Sequence, residues 1–307
     1  MNILMIFFCL LISPAIVCAD VIDYLKPAPN KEGVHSIRNI DFIYMINLDR
    51  RPEKFARSAG QLNTYGVFPY RFSAVNGWEL TYETLNKLGI KYEPGMKQGI
   101  WGTCYFAENN GTPHHEVMHV PGRNYFSHCM SRGAIGIVLS HLSILKDALD
   151  SGYETIWVME DDVEVIQNPN KMSDLIDKLD ALVGNKKWDI LFTDQDTKNK
   201  HGDYIPCLGY ALRPNYDPQN PERFATRENV SHEFKKIGAR YGAYSMIVRR
   251  SGMQKILSFI NTYKVFLPYD MEFYLPKSIR MYAVREDVVS TFIDAQSDNG
   301  APNYSKK

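Results

Sequence analysis

The period of apolar positions changes several times along the chain, and each change marks an element. Ile40 to Leu48 reads IDFIYMINL, apolar with almost no alternation, as in a strand covered on both faces. Asp49-Arg50-Arg51-Pro52 follows, with Pro52 suited to a first helical turn and Asp49 to its cap. Phe55, Ala59 and Leu62 then recur at helical spacing, so a helix runs to about Tyr65 with Gly66 as its stop. A second helix begins at Gly133, where Ile135, Val138, Leu139, Leu142, Leu145 and Leu149 share one face and Gly152 ends it. Thr155 to Met159 is a short, wholly apolar strand of the interior kind, and it runs straight into Glu160-Asp161-Asp162.

Further on, Leu175, Ile176, Leu179 and Leu182 predict the inward face of a helix over Lys171 to Val183. Trp188 to Phe192 is a buried strand ending in Thr193-Asp194-Gln195-Asp196. Tyr241 to Leu257 reads as a strand ending near Arg249 and a helix starting at Ser251, and Met281 to Arg285 as a last strand. Strands alternating with helices imply an α/β domain. Residues 20–39, with Pro27 and Pro29, read as a linker, and residues 40–295 as the domain. Within it, residues 78–132 carry six glycines and little periodicity, which predicts a lid or acceptor-binding excursion. His201 to Phe234, polar and proline-rich, is a second excursion over the active face, and residues 296–307 form a polar tail expected to fray.

Composition narrows the partners. Thirty-five basic residues balance thirty-five acidic ones in 307, with pI about 7.1, so neither nucleic acid nor an anionic membrane surface is implied. The apolar run from Ile3 to Val17 would span only about 22 Å as a helix, short of the ~30 Å hydrocarbon core. Val17-Cys18-Ala19 resembles a cleavage site, so residues 1–19 read as a signal peptide, or else a short signal anchor giving membrane association. A used signal places the protein in the secretory pathway or cell envelope. Without cleavage it would lie on the cytoplasmic face of a membrane. Cys104, Cys129 and Cys207 are too few for a disulfide framework, although Cys104 and Cys129 could pair in an oxidising compartment. His114, His115, His119 and His128 lie near them, but the spacing matches no familiar zinc pattern.

The acidic triplet is the main chemical signal. Ligands of open α/β sheets bind beyond the carboxyl ends of strands. On extended chain, residues 160 and 162 point one way and 161 the other. Crowded carboxylates are relieved by a shared divalent cation, which keeps positions open for phosphate oxygens. Glu160 and Asp162 are therefore the first choice of metal ligands, and Asp194 and Asp196 the second. The other reading is a solvated acidic turn.

Gly133, Gly136, Ser140, His141 and Ala148, followed by a strand ending in Glu160-Asp161-Asp162, resemble the pattern of glycosyltransferase family 25. That family includes bacterial lipooligosaccharide (lipopolysaccharide) galactosyltransferases and collagen galactosyltransferases. Ile46 to Arg51 and Phe72 to Gly77 resemble its first motif, Tyr241 to Leu257 a later one, and Leu267-Pro268-Tyr269-Asp270 its P-x-D motif. Ile137 stands where the family often has cysteine. The resemblance implies a GT-A-type fold: a doubly wound mixed sheet forming a Rossmann-like nucleotide-sugar-binding domain. It also implies transfer of a sugar, most often galactose, from a UDP-sugar to a hydroxyl of a glycan or glycoprotein acceptor, with inversion and with Mn²⁺ or Mg²⁺. By the same resemblance the edge bearing Asn47, Leu48, Arg50, Ala74, Asn76 and Gly77, with Ser140 and Asp161, should hold the donor nucleotide. Asp270 is the expected base, Glu272 its substitute, and His141 either a base, a donor contact or a core histidine. For Asp270 a plain helix cap is the alternative. Two rival functions stay open: a secreted sugar-binding protein of the same fold without turnover, and a metal-dependent phosphodiester hydrolase, which would want His-rich ligand motifs.

Overall fold

The computed structural model describes residues 20–109 and 112–301, so the expected leader at 1–19 and the last six residues lie outside the described part. Strand β1 (Phe42–Asn47) turns into α1 (Pro52–Asn63) and returns in β2 (Tyr70–Ser73). A peripheral unit follows: α2 (Tyr82–Leu88), β3 (Ile90–Lys91), β4 (Trp101–Cys104), β5 (His114–Val117) and β6 (Asn124–Ser127). The chain re-enters the body through α3 (Arg132–Asp150), β7 (Thr155–Glu160), β8 (Val163–Val165), α4 (Lys171–Val183) and β9 (Ile190–Phe192). It finishes with β10 (Arg227–Asn229), β11 (Phe234–Ile237), β12 (Ser245–Arg249), α5 (Arg250–Tyr263), α6 (Tyr269–Glu272), β13 (Met281–Val284) and β14 (Val289–Thr291).

Eight strands make one mixed sheet in the order β10-β11-β13-β9-β12-β7-β1-β2. β2, β1 and β7 run parallel, while β12 lies antiparallel between β7 and β9. The apolar runs without alternation are explained by cover on both faces. Tyr44, Ile46, Val158, Phe192 and Met246 pack in a core with α3 and α5. Their neighbours Ile43, Met45, Trp157, Leu191 and Ile247 pack in a second core with α1 and α4. The architecture is thus a mixed α/β sandwich of helix, sheet and helix. Since β12 runs backwards, one rim of the sheet gathers the carboxyl ends of β1, β2, β7 and β9 together with the amino end of β12.

Several expectations need correction. Asp49 does not cap α1, whose N-cap is Arg51 with no side-chain cap bond. Asp49 instead accepts from Ser73 Oγ at 2.6 Å and Arg71 Nη2 at 3.0 Å, tying β1 to β2. Leu182 is exposed, and α4 buries Met172, Leu175, Ile176 and Leu179. Residues 78–132 are not a structureless loop. β3, β6, β4 and β5 form an antiparallel sheet, whose Ile90, Tyr125 and Phe126 join the core around α3. Strands of two to four residues are too short to show a period. Residues 20–39 pack onto the body, with Val21 buried and Lys31 Nζ 2.9 Å from Asp147. Cys104 and Cys129 are free thiols, and Cys104 is buried on β4, where desolvation pushes its thiol up to about 12.

Candidate active site

The rim holds a chain of cavities that share walls. The first, about 480 Å³, lies over the ends of β1 and β2 and is lined by Leu48, Asp49, Arg50, Ala74 and Asn76. The second, about 90 Å³, shares Leu48 and Ala74 with it and reaches Gly77, Ser140 and all three acids of the triplet. The third, about 150 Å³, shares Glu160 and Asp162 and extends to Gly242, Tyr244, Pro268 and Asp270. A larger cavity of about 980 Å³ flanks α5 near Tyr216 and Lys277, away from these acids.

The loop after β2 is fixed by close packing on α3. Ser140 Oγ accepts from Val75 N at 2.8 Å and donates to Gly136 O at 2.7 Å. A Cβ at Gly136 would sit 2.5 Å from Val75 O, and one at Gly77 only 1.8 Å from Arg132 O. Glycine at both positions lets the loop press against the helix and form the cavity wall.

The triplet leaves β7 at Glu160, and Asp161 and Asp162 lie in the turn that follows. Asp161 turns toward β1, where its Oδ2 accepts from Asn47 Nδ2 at 2.6 Å. Lys54 Nζ stands 4.0 Å away on α1. Burial nevertheless lifts the Asp161 carboxyl to about 6, against the Asn47 hydrogen bond and the Lys54 charge. Asp162 is raised to about 7 by burial, and the charges of Glu160 and Asp161 add to the effect. Its Oδ1 is buried without a hydrogen-bond partner. Glu160 Oε1 lies 3.1 Å from His141 Nε2, and the His141 ring is fully buried and stacked on Tyr269 with centroids 4.1 Å apart.

Asp270 completes the third cavity. It is not a cap: the N-cap of α6 is Pro268, and Asp270 Oδ2 accepts from Gly242 N at 3.0 Å, on the segment leading into β12. Burial raises its carboxyl above the ordinary range, the Gly242 N–H opposes the shift, and the charge of Glu160 adds to it. A carboxylate held by one backbone N–H and pushed upward is a good proton acceptor.

Glu160 and Asp162 fit a divalent cation by the chemistry of the donor set: crowded, desolvated oxygens, one of them without a partner. Among the described residues no three His, Cys, Asp or Glu side chains form a ready-made chelate. Such a cation would be held by two carboxylates and completed by ligand oxygens, as suits Mg²⁺ or Mn²⁺. The second-choice pair does not fit. Asp194 is fully buried and accepts from Arg240, Tyr244 and Ser290, while Asp196 faces Arg227, Lys235 and Arg240 within 4.0 Å. Glu272 is likewise taken: it is fully buried against Arg213 and accepts from Phe266 N and Leu267 N, so it is no substitute base. Asn47 is a pin beneath the cavity, donating to Arg51 O at 2.8 Å as well as to Asp161. Arg50 lines the first cavity and bonds Glu79 at 2.7 Å.

Sequence reasoning missed Lys54, Trp78 and residues 297–299, all of which line the second cavity. The tail is not frayed at these positions. β14 pairs with β8, and Phe292 N donates to Asp162 O at 3.1 Å, so the chain beyond is led back across the acids. Nothing in the polar sequence there signals such a return.

Residues 40–272 match the family model described as glycosyltransferase family 25 (LPS biosynthesis protein). A glycosyltransferase 25 family member of Drosophila melanogaster is 27% identical over 143 residues, 47% of this chain and 19% of that protein. Human procollagen galactosyltransferase 2 is 28% identical over 165 residues, 53% of this chain and 21% of that protein. The mouse protein named inactive glycosyltransferase 25 family member 3 is 24% identical over 159 residues, 52% of this chain and 22% of that protein. The chain therefore spans about a fifth of the length of these relatives. Among solved structures, A197 from STIV has a TM-score of 0.30 at 17% identity, covering 52% of this chain and 68% of that one.

Proposed function

The chain belongs to glycosyltransferase family 25, and from that premise we propose that it transfers a sugar, galactose first among candidates, from a UDP-sugar to a hydroxyl of a glycan or protein acceptor. The observation that carries this reading is the convergence of Glu160, Asp162 and Asp270 on one cavity at the end of β7. That cavity continues through the narrow one walled by Leu48, Ala74 and Gly77 into the cavity of about 480 Å³ over the ends of β1 and β2, where a nucleoside has room.

In this reading the nucleotide lies over the ends of β1 and β2, and its diphosphate approaches the triplet. Glu160 and Asp162 would hold the divalent cation, Mn²⁺ or Mg²⁺, which when bound supplies positive charge for the leaving diphosphate. His141, locked by Tyr269, orients Glu160. Asp161, pinned by Asn47, keeps the turn after β7 in place. Asp270 accepts the proton of the acceptor hydroxyl as that oxygen attacks the anomeric carbon, and the Gly242 N–H keeps the carboxylate aimed. Attack from the side opposite the diphosphate inverts the anomeric centre. A used leader would set this reaction in a secretory lumen or cell envelope.

The test is release of UDP from UDP-galactose and other UDP-sugars, with Mn²⁺ and with EDTA. Turnover should need the metal, and Asp270→Asn should lower it by roughly 10²–10⁴ while UDP affinity holds. Tight UDP binding that survives both EDTA and Asp162→Ala would refute the metal role of the triplet. A catalytically silent binder is the second reading, favoured by residues 297–299 lying in the cavity and by a relative that is named inactive. UDP binding without turnover on any donor would select it.

A further inference from the structure

The C-terminal segment does more than line the cleft. Asp298 points its carboxylate at α1, where Arg51 Nη1 donates to both oxygens at 2.8 Å and Lys54 Nζ stands 3.8 Å away. The Asp298 carbonyl accepts from Trp78 Nε1 at 3.0 Å, and the Asn299 carbonyl from Ser131 Oγ at 2.5 Å. Arg51 is nine-tenths buried here, and the Asp298 side chain is 8% exposed. A Cβ at Gly133 would come within 2.5 Å of Asn299 O, so the first turn of α3 is shaped to the segment as well. A guanidinium and an ammonium thus face a single carboxylate beside the acidic triplet, while an indole N–H holds the backbone carbonyl of the same residue. The same donors suit phosphate oxygens, since arginine binds carboxylate and phosphate with one geometry.

We propose that Arg51, Lys54 and the Trp78 indole form an anion subsite for the diphosphate of a nucleotide ligand, and that Asp298 fills it in cis as a self-inhibiting strap. This rests on the nucleotide-sugar reading for the identity of the ligand, but the competition between Asp298 and a diphosphate does not. Charge supports it. With Asp298 in place, five carboxylates (Glu160, Asp161, Asp162, Asp270 and Asp298) crowd cavities lined by one lysine, with Arg51 at their edge. A diphosphate entering there is repelled unless Asp298 withdraws. Among the described residues the strap forms no helix or strand after β14, and swinging from that anchor would exchange one ion pair for another.

The experiment is isothermal titration of the full chain with inorganic pyrophosphate and, separately, with UDP, both in Mg²⁺. Asp298→Ala should bind each ligand at least about tenfold more tightly than the parent, one charge-assisted contact being of that order. Adding Lys54→Met to that variant should remove the gain. Equal or weaker binding by Asp298→Ala with an unchanged melting temperature overturns the proposal, weaker binding meaning that the segment is part of the ligand site. If the alanine variant does not fold, Asp298→Asn, which keeps the shape and drops the charge, is read by the same criteria. A gain for pyrophosphate with no binding of UDP supports the strap and sinks the nucleotide reading. UDP binding that is identical in parent and variant does the reverse.

Discussion

Gly77→Ala separates close packing from chain flexibility with opposite signs. Gly77 does not occupy the left-handed region, so its backbone conformation is open to alanine. If nothing touched the new methyl, the change would stabilise by about 0.4–1 kcal/mol, because the unfolded chain loses freedom. The methyl would instead lie 1.8 Å from Arg132 O, 2.7 Å from Arg132 C and 2.8 Å from Gly136 N, all of them backbone atoms of α3. No side chain can rotate away, so the loop after β2 must move off the helix by about 1 Å or more. Overpacking costs about 1–3 kcal/mol where side chains give way and more where backbone must. We expect at least about 3 kcal/mol, a fall in Tm of roughly 6 °C or more at 2–4 °C per kcal/mol. UDP affinity should fall with it, since the same loop walls the cavity. Gly60→Ala is the control. It is an exposed position inside α1 with nothing within 4 Å of the added methyl, and it should stabilise by about 0.5–1 kcal/mol. Thermal melts of the two variants decide the matter. A Gly77→Ala protein as stable as the parent would refute the packing account of the loop.

Other outcomes follow from the buried acids. Glu272→Gln should lower the melting temperature sharply, by about 3 kcal/mol or more in stability, because Arg213 is left buried without its counter-charge; a normal melting temperature with lost turnover would make Glu272 the base after all. Mn²⁺ affinity, read from the electron paramagnetic signal of free Mn²⁺, should fall by about tenfold between pH 8 and pH 6, since the Asp162 carboxyl at about 7 must lose its proton to bind. In metal-free protein the sign for stability is the opposite: a raised carboxyl favours folding below its ordinary pKa, and that contribution is lost as pH rises toward 7. The melting-temperature advantage of Asp162→Asn over the parent should therefore widen from pH 5 to pH 8, and a constant gap would refute the burial of Asp162.

Much of the body was legible because its elements are long or doubly covered. The apolar runs of β1 and β7 and the helical stripes of α3 and α4 each follow from burial, and the acids after β7 were found by their place at a strand end. Leu182 misled because a stripe shows one face but not how far the partner surface extends. Asp194, Asp196 and Glu272 misled for another reason. Their cationic partners, Arg240, Arg227 and Arg213, lie 31 to 59 residues away in sequence, and only the fold brings them together. Asn47 was expected to hold the nucleotide, whereas its side chain holds Asp161 from beneath. The strap was invisible because its contacts are made by single polar residues, with no period to reveal them.

The antiparallel placement of β12 has a consequence for how the chain is made. β2, β1 and β7, with α1 and α3, come from the first 160 residues and can pair as soon as those residues leave the ribosome. The strand that closes the open side of β7 begins only at Ser245. At about 5–20 residues per second, the 85 or so intervening residues take roughly 4–17 s to synthesise. Through that interval Thr155–Glu160, five of its six residues buried in the finished protein, is an unpaired edge open to strands from neighbouring chains. Nascent chains of this protein thus carry an exposed apolar edge through that interval, and a chaperone that binds extended apolar segments has its natural target at TIWVME.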